Sequence, residues 1–199
     1  MDANRFPAQI DLRDGSTVTV RPMERTDSPA MLAFFKALPD EDRLFLRNDV
    51  TRPDVVDRFV NDLDHELVLG LVVEADGHII ASATLQRERY GWMTHIGEMR
   101  LVIAHSFQRK GLGIALVRML VTAAASTGLD LIVARLMDGQ IGAMHAIEQL
   151  GFRHEAVLRN HVRDISGRRR DLHIYTNDVS LIWESMERLN SDFSPCIGD

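Results

Sequence analysis

The chain has 199 residues, 45% hydrophobic and 26% charged, which suits one globular domain with a sizeable core. A formal net charge of −6 excludes the basic surface that non-specific nucleic-acid binding needs, though a local cationic cluster can still hold a polyanion. A single cysteine, Cys196, excludes an intrachain disulfide framework, and no Cys/His grouping has zinc-ligand spacing, so no metal is expected.

Residues 1–9 read as a flexible leader, 10–188 as one domain and 189–199 as a disordered tail. The N-terminus lacks an apolar signal core, and no run approaches the roughly 18 apolar residues of a spanning helix. A cytoplasmic protein without membrane or nucleic-acid partners is the expectation.

Residues 10–13 and 17–20 alternate apolar and polar around Asp14-Gly15, a hairpin signal. Asp27-Ser28-Pro29 starts a helix carrying Met31, Leu32, Phe34, Phe35 and Leu38 at helical spacing. Pro53-Asp54 opens a second, with Val55, Val56, Phe59 and Val60 on its apolar side. Runs 66–74 and 78–86, joined by Asp76-Gly77, read as strands covered on both faces. A third run, 92–104, places Trp92 either as a half-buried strand aromatic or in a substrate cleft.

That run leads into Gln108-Arg109-Lys110-Gly111-Leu112-Gly113 and then a helix over 114–127. A strand turning through glycines into a helix offers free N–H groups and the positive helix end to an anion. Gly111 and Gly113 let a phosphate approach bare backbone, and Arg109 and Lys110 add charge. The P-loop pattern is absent, and the dinucleotide fingerprint fails at Leu116. The helix turns Leu116, Met119, Leu120, Ala123 and Ala124 to a core and leaves Arg118 and Thr122 to solvent.

Residues 129–136 form a further strand, 139–150 a helix closed by Gly151, and 152–164 with 170–179 a long hairpin around Ser166-Gly167. Arg159, Arg163 and Arg168-Arg169-Arg170 read as a solvated hairpin tip. Met31, Met119, Met144 and Met186 read as core filler. Neither an internal repeat nor a Pro/Gly/Ser-rich linker marks a second domain. The element order gives an α/β fold: a central mixed β-sheet of about six to seven strands, flanked by helices on both faces.

The loop matches Q/R-x-x-G-x-G/A position by position, and with the element order it resembles the GNAT superfamily of acyl-CoA-dependent N-acyltransferases along almost the whole chain. Residues 11–22 (DLRDGSTVTVRP) and 37–47 (ALPDEDRLFLR) are similar to the start of the acetyltransferase domain of bacterial protein lysine acetyltransferases. Gly97-Glu98-Met99-Arg100 and Leu150-Gly151-Phe152 also sit where that family has similar residues.

The resemblance implies acetyl transfer from acetyl-CoA to a primary amine, with a protein lysine as the acceptor, by a monomer or homodimer. A lysine ammonium with a pKa near 10.4 costs roughly 4.6 kcal/mol to deprotonate at pH 7, and Glu98 matches the family's catalytic base. Read from its residues alone, Glu98 has two open roles, base or ion-pair partner of Arg100 on the same strand face. The resemblance gives the backbone of Leu101, Val102 and Ile103 to the pantetheine arm. It gives Gln108, Arg109, Lys110, Gly111, Leu112, Gly113 and Ile114 to the pyrophosphate, and Gln140 to a pantetheine contact. The family's tyrosine acid falls at Ile147, with His145 nearby, so the general acid is unassigned. A small-molecule amine acetyltransferase and a non-catalytic acyl-CoA-binding module are the alternatives, and acceptor identity is expected in loops 40–65, 87–95 and 159–172.

Overall fold

The computed structural model describes residues 6–180; Met186 and the expected tail lie outside them. Strands β1 (Ala8–Asp11) and β2 (Thr17–Pro22) form the first hairpin, around Gly15 with φ 84°. Helices α1 (Ser28–Ala37), α2 (Asp40–Arg43) and α3 (Pro53–Asn61) follow. Strands β3 (Val68–Ala75), β4 (His78–Arg87) and β5 (Ile96–Ile103) come next. Helix α4 (Leu112–Ser126), β6 (Leu131–Met137), α5 (Ile141–Gln149), β7 (Arg153–Arg163) and β8 (Arg169–Asp178) complete the order.

One mixed sheet runs β1-β2-β3-β4-β5-β6-β8-β7, and β5–β6 is its parallel pair. The architecture is the expected α/β one, with eight strands among the described residues, one more than the upper expectation. Both terminal hairpins join the sheet, β1 with β2 and β7 with β8, the latter with register shifts between His154 and Ala156 and between Leu158 and Val162.

Alternation along the strands sends side chains to two cores. Leu71, Ala83, Met99, Ile132 and Ala134 meet Leu116, Leu120 and Ala124 of α4 and Ile147 of α5. On the opposite face Val72 meets Met31, Phe34 and Phe35 of α1 and Val56 and Val60 of α3. The central strands β3 and β4 are therefore buried on both sides, which is why they read as near-continuous apolar runs.

Two polar joints hold the α1–α3 layer. Arg21 on β2 forks onto Asp27 at 2.7 and 2.8 Å and also bonds Glu74 on β3. Burial works to raise the Asp27 carboxyl, but the Arg21 guanidinium and the Glu24 N–H outweigh it and hold it below the usual carboxylate range. Ser28 Oγ donates to Asp57, tying α1 to α3.

Two expectations change. Trp92 is 89% exposed in the β4–β5 loop: Gly91, at φ 98°, turns the chain and β5 begins only at Ile96. Arg118 and Thr122 are half-buried rather than solvent-facing. The Thr122 hydroxyl donates to Arg118 O, and Arg118 Nε is buried without a hydrogen-bond partner among the described residues.

Candidate active site

The expected phosphate loop is a shaped concavity. Gly111, at φ 91°, is the N-cap of α4, and Arg109 is left-handed at φ 60°. A non-glycine residue held there is strained, and such strain gathers at ligand sites. Alternating left-handed positions before a helix aim successive N–H groups into one hollow. The first intrahelical bond to close the turn is Ala115 N–H to Gly111 O at 3.1 Å. The N–H groups of Leu112, Gly113 and Ile114 thus stand at the open end of a fifteen-residue helix.

Gln108 is differently placed. Its backbone N–H donates to His105 O at 3.2 Å, and its side-chain amide donates to Ile103 O at 3.2 Å. Gln108 therefore braces the junction between β5 and the loop.

The first hairpin folds against this loop, a contact the sequence reading missed. Arg13 N–H donates to Lys110 O at 3.1 Å, and a Cβ on Gly111 would lie 3.6 Å from Arg13 Cγ. Lys110 Nζ is 2.7 Å from Asp14 Oδ2 and 4.9 Å from the Phe107 ring centroid. The Lys110 ammonium, helped by Ser16, holds the Asp14 carboxyl well below the usual range. Among the described residues the guanidinium groups of Arg13 and Arg109 have no ion-pair partner, so these two, more than Lys110, carry the uncommitted charge at the loop.

Strand β5 leads from the loop to Glu98. It pairs with β4 from Gly97 to Ile103, but with β6 only from Ile96 to Met99, opposite Leu131 to Ala134. Beyond Met99 and Ala134 the two strands part, each staying with its other neighbour, as β6 pairs β8 through Met137. Among the described residues the β6-facing backbone edge of Leu101, Val102 and Ile103 has no strand partner, a slot that accepts an extended chain. Leu101 and Ile103 pack against one core and Val102 against the other, as expected for their side chains.

Glu98 stands one residue before Met99, the last that β5 pairs with β6, on the face toward α1 and α3. It accepts from Arg100 Nε at 3.3 Å, from Arg135 Nη1 at 2.6 Å and from Arg47 Nη2. The pair with Arg100 was an open role; Arg47 and Arg135 were not anticipated. Arg47 belongs to a segment that starts within α2, at Asp42, and straps the parted strands: Asp42 lies 3.7 Å from His105 after β5, and the Phe45 ring would be 3.4 Å from a Cβ on Gly139 after β6.

Gln140, at the N-cap of α5, accepts from Met137 N–H at 2.8 Å through its side-chain oxygen and so stabilises the β6–α5 turn. Ile147 is buried in the core, while His145 is exposed 3.7 Å from Glu148. The tyrosine nearest α5 is Tyr175 on β8, whose hydroxyl donates to Glu148 at 3.1 Å; burial and then Glu148 raise it above the usual phenol range.

Residues 32–152, more than half of the chain, match the acetyltransferase (GNAT) family. The GNAT domain of a Streptomyces lividans protein, PAT, superposes with a TM-score of 0.70 at 21% identity, covering 86% of this chain and 96% of that one. Ribosomal-protein-S5-alanine acetyltransferase from Vibrio fischeri gives 0.71 at 17% identity, covering 81% and 92%. A Salmonella typhimurium structure described as a putative acetyltransferase with its cofactor acetyl-CoA gives 0.69 at 20% identity, covering 82% and 95%. No curated protein sequence matches significantly.

The chain belongs to the GNAT family and is an acetyl-CoA-dependent N-acetyltransferase. The hollow of N–H groups, the uncommitted arginines beside it and the open edge of β5 suit a cosubstrate with a pyrophosphate at one end and an extended amide arm at the other.

Proposed function

We propose that the protein acetylates a primary amine, that the acceptor is the protein lysine its sequence resemblance implies, and that Glu98 takes the proton the amine releases. The observation that carries this reading is the placing of Glu98 near the end of the slot: β5 leaves β6 after Met99, the residue that follows it. From Glu98 to Ile103 is five strand steps, about 17 Å. A cosubstrate anchored at the loop is thus held along β5 with its reacting end beside a carboxylate.

The N–H groups of Leu112, Gly113 and Ile114, with Arg13 and Arg109, would hold the pyrophosphate, and the free edge of Leu101–Ile103 would hold the pantetheine arm. Acetyl-CoA supplies a thioester: the new C–N bond forms at its acyl carbon, the C–S bond breaks, and CoA leaves as thiolate. Glu98 has about four acceptor positions as a carboxylate, and three guanidinium N–H groups occupy all but one. That position serves the amine N–H, directly or through one water. With Ile147 in place of a tyrosine, water protonates the thiolate.

The three guanidiniums also favour a second reading, in which Glu98 is their counter-ion and the amine loses its proton to water. Glu98→Gln separates the two. A base predicts that kcat/KM at pH 7 falls by roughly 10²- to 10⁴-fold, with CoA affinity kept and the loss shrinking toward pH 10 as the amine neutralises itself. A counter-ion predicts a lower Tm and a pH-independent change in rate.

A further inference from the structure

Glu98 does not balance the charge around it. Arg47 from the strap, Arg100 on β5 and Arg135 on β6 converge on this one carboxylate, leaving two positive charges in surplus. Among the described residues no other carboxylate pairs with any of the three. Each guanidinium carries five donors, and Glu98 takes one from each. The three side chains are 41, 39 and 35% exposed, while Glu98 is 18% exposed, so the cations are more open to solvent than the anion they surround.

The crowding of like charge is visible on Arg47: burial first, then the Arg100 guanidinium, push it below the usual arginine range. Arg100 also borders an open cavity of about 350 Å³, lined by Thr84, Gln86, Asn48, Arg58 and Asp62. Arg58 and Asp62 offset one another there, so the surplus comes from the cluster.

Three separate segments bring these arginines to the mouth of the slot, where an acceptor amine must stand within about 3–3.5 Å of the thioester carbon. We propose that the cluster binds an anionic group of the acceptor, so that the preferred acceptor is an amine with a carboxylate beside it. This rests on the amine-acetyltransferase reading above and deepens it. The carboxylate would dock on the free guanidinium donors, and the same positive field would favour the neutral, reactive form of the amine. A polyamine, with cations instead, would be repelled. The carboxylate has two possible sources, the α-carboxylate of a free amino acid or an acidic residue flanking a lysine in a peptide.

The test compares initial rates with acetyl-CoA for two matched pairs: a blocked lysine peptide with Glu or Gln at the flanking position, and a free amino acid with its amide, at equal concentrations of neutral amine. The acidic member of one pair is expected to lead by about tenfold in kcat/KM, the worth of one charge-assisted hydrogen bond. The gap should lie mostly in KM and narrow with added salt. The pair that discriminates identifies the source. Arg135→Gln should bring the two members together, and Arg135→Glu should invert them.

Equal rates within both pairs, a salt-independent gap, or an Arg135→Gln variant that keeps the ratio would overturn the proposal while leaving the transferase reading intact. Absence of turnover with every acceptor would instead sink the transferase reading. In that event calorimetry of the CoA-loaded protein with the acetylated Glu and Gln peptides still reads the preference, and equal affinities would overturn it.

Discussion

Arg13 stands in the turn between β1 and β2, yet its side chain packs beside Gly111, in van der Waals reach of a Cβ added there. If it holds phosphate, Arg13→Ala should weaken CoA binding about tenfold, the worth of a charged hydrogen bond, and flatten its salt dependence. Calorimetry at several ionic strengths checks both. Asp14 works the other way, because it already occupies the Lys110 ammonium. Asp14→Asn keeps an oxygen for the Ser16 N–H and hydroxyl but removes the competing charge. It should tighten CoA binding severalfold, and an unchanged affinity would show that Lys110 stays away from the ligand. The loop was legible in the sequence because its glycines and cations are contiguous. Arg13, Arg47 and Arg135 were not, because they reach their partners across the fold and carry no local signal.

At the level of elements, close packing at the start of β5 makes a sharp demand on one glycine. A Cβ on Gly97 would lie 2.8 Å from Cδ1 of both Leu85 and Leu129. Gly97→Ala should therefore cost about 1–3 kcal/mol of stability by overpacking, read as a lower midpoint in urea. Gly113 differs: its added Cβ would lie 3.4 Å from Ile103 Cδ1, so a folded Gly113→Val variant tests the phosphate hollow itself. The β7–β8 turn supplies a pH-dependent element. Asp164 accepts from Ser166, Arg168 and Arg170, and its carboxyl is lowered from 3.8 to about 2, chiefly by the Ser166 hydroxyl, with burial opposing. A depressed carboxyl stabilises the fold above its unfolded pKa, and that contribution is lost as pH falls through the folded value. The Tm gap between wild type and Asp164→Asn should thus be constant above pH ~4 and close toward pH 2. Strands β3 and β4 were legible as apolar runs, since both of their faces are buried. Helix α2 was not, because Asp-Glu-Asp-Arg has no apolar periodicity and contributes no buried residue.

For the whole molecule, CoA bound only by the folded state should raise the melting temperature, with about 2.7 kcal/mol of added stability at a hundredfold excess over Kd. Element order gave the mixed sheet with helices on both faces, because hairpins and a strand-helix-strand crossover leave few arrangements. The point at which β5 parts from β6, after only four paired residues, is a tertiary fact with no local signal. The same holds for the strap from Asp42 to Arg47, which depends on contacts with His105, Gly139 and Glu98. The measurement that bears most directly on the central claim is amine-dependent thiol release from acetyl-CoA, followed from pH 6 to 10 for wild type and Glu98→Gln with a lysine peptide flanked by Glu. With Glu98 as the base, release requires the peptide, falls by at least about a hundredfold at pH 7 in the variant, and recovers toward pH 10. Release that ignores the amine, or a variant matching wild type at pH 7, would contradict it.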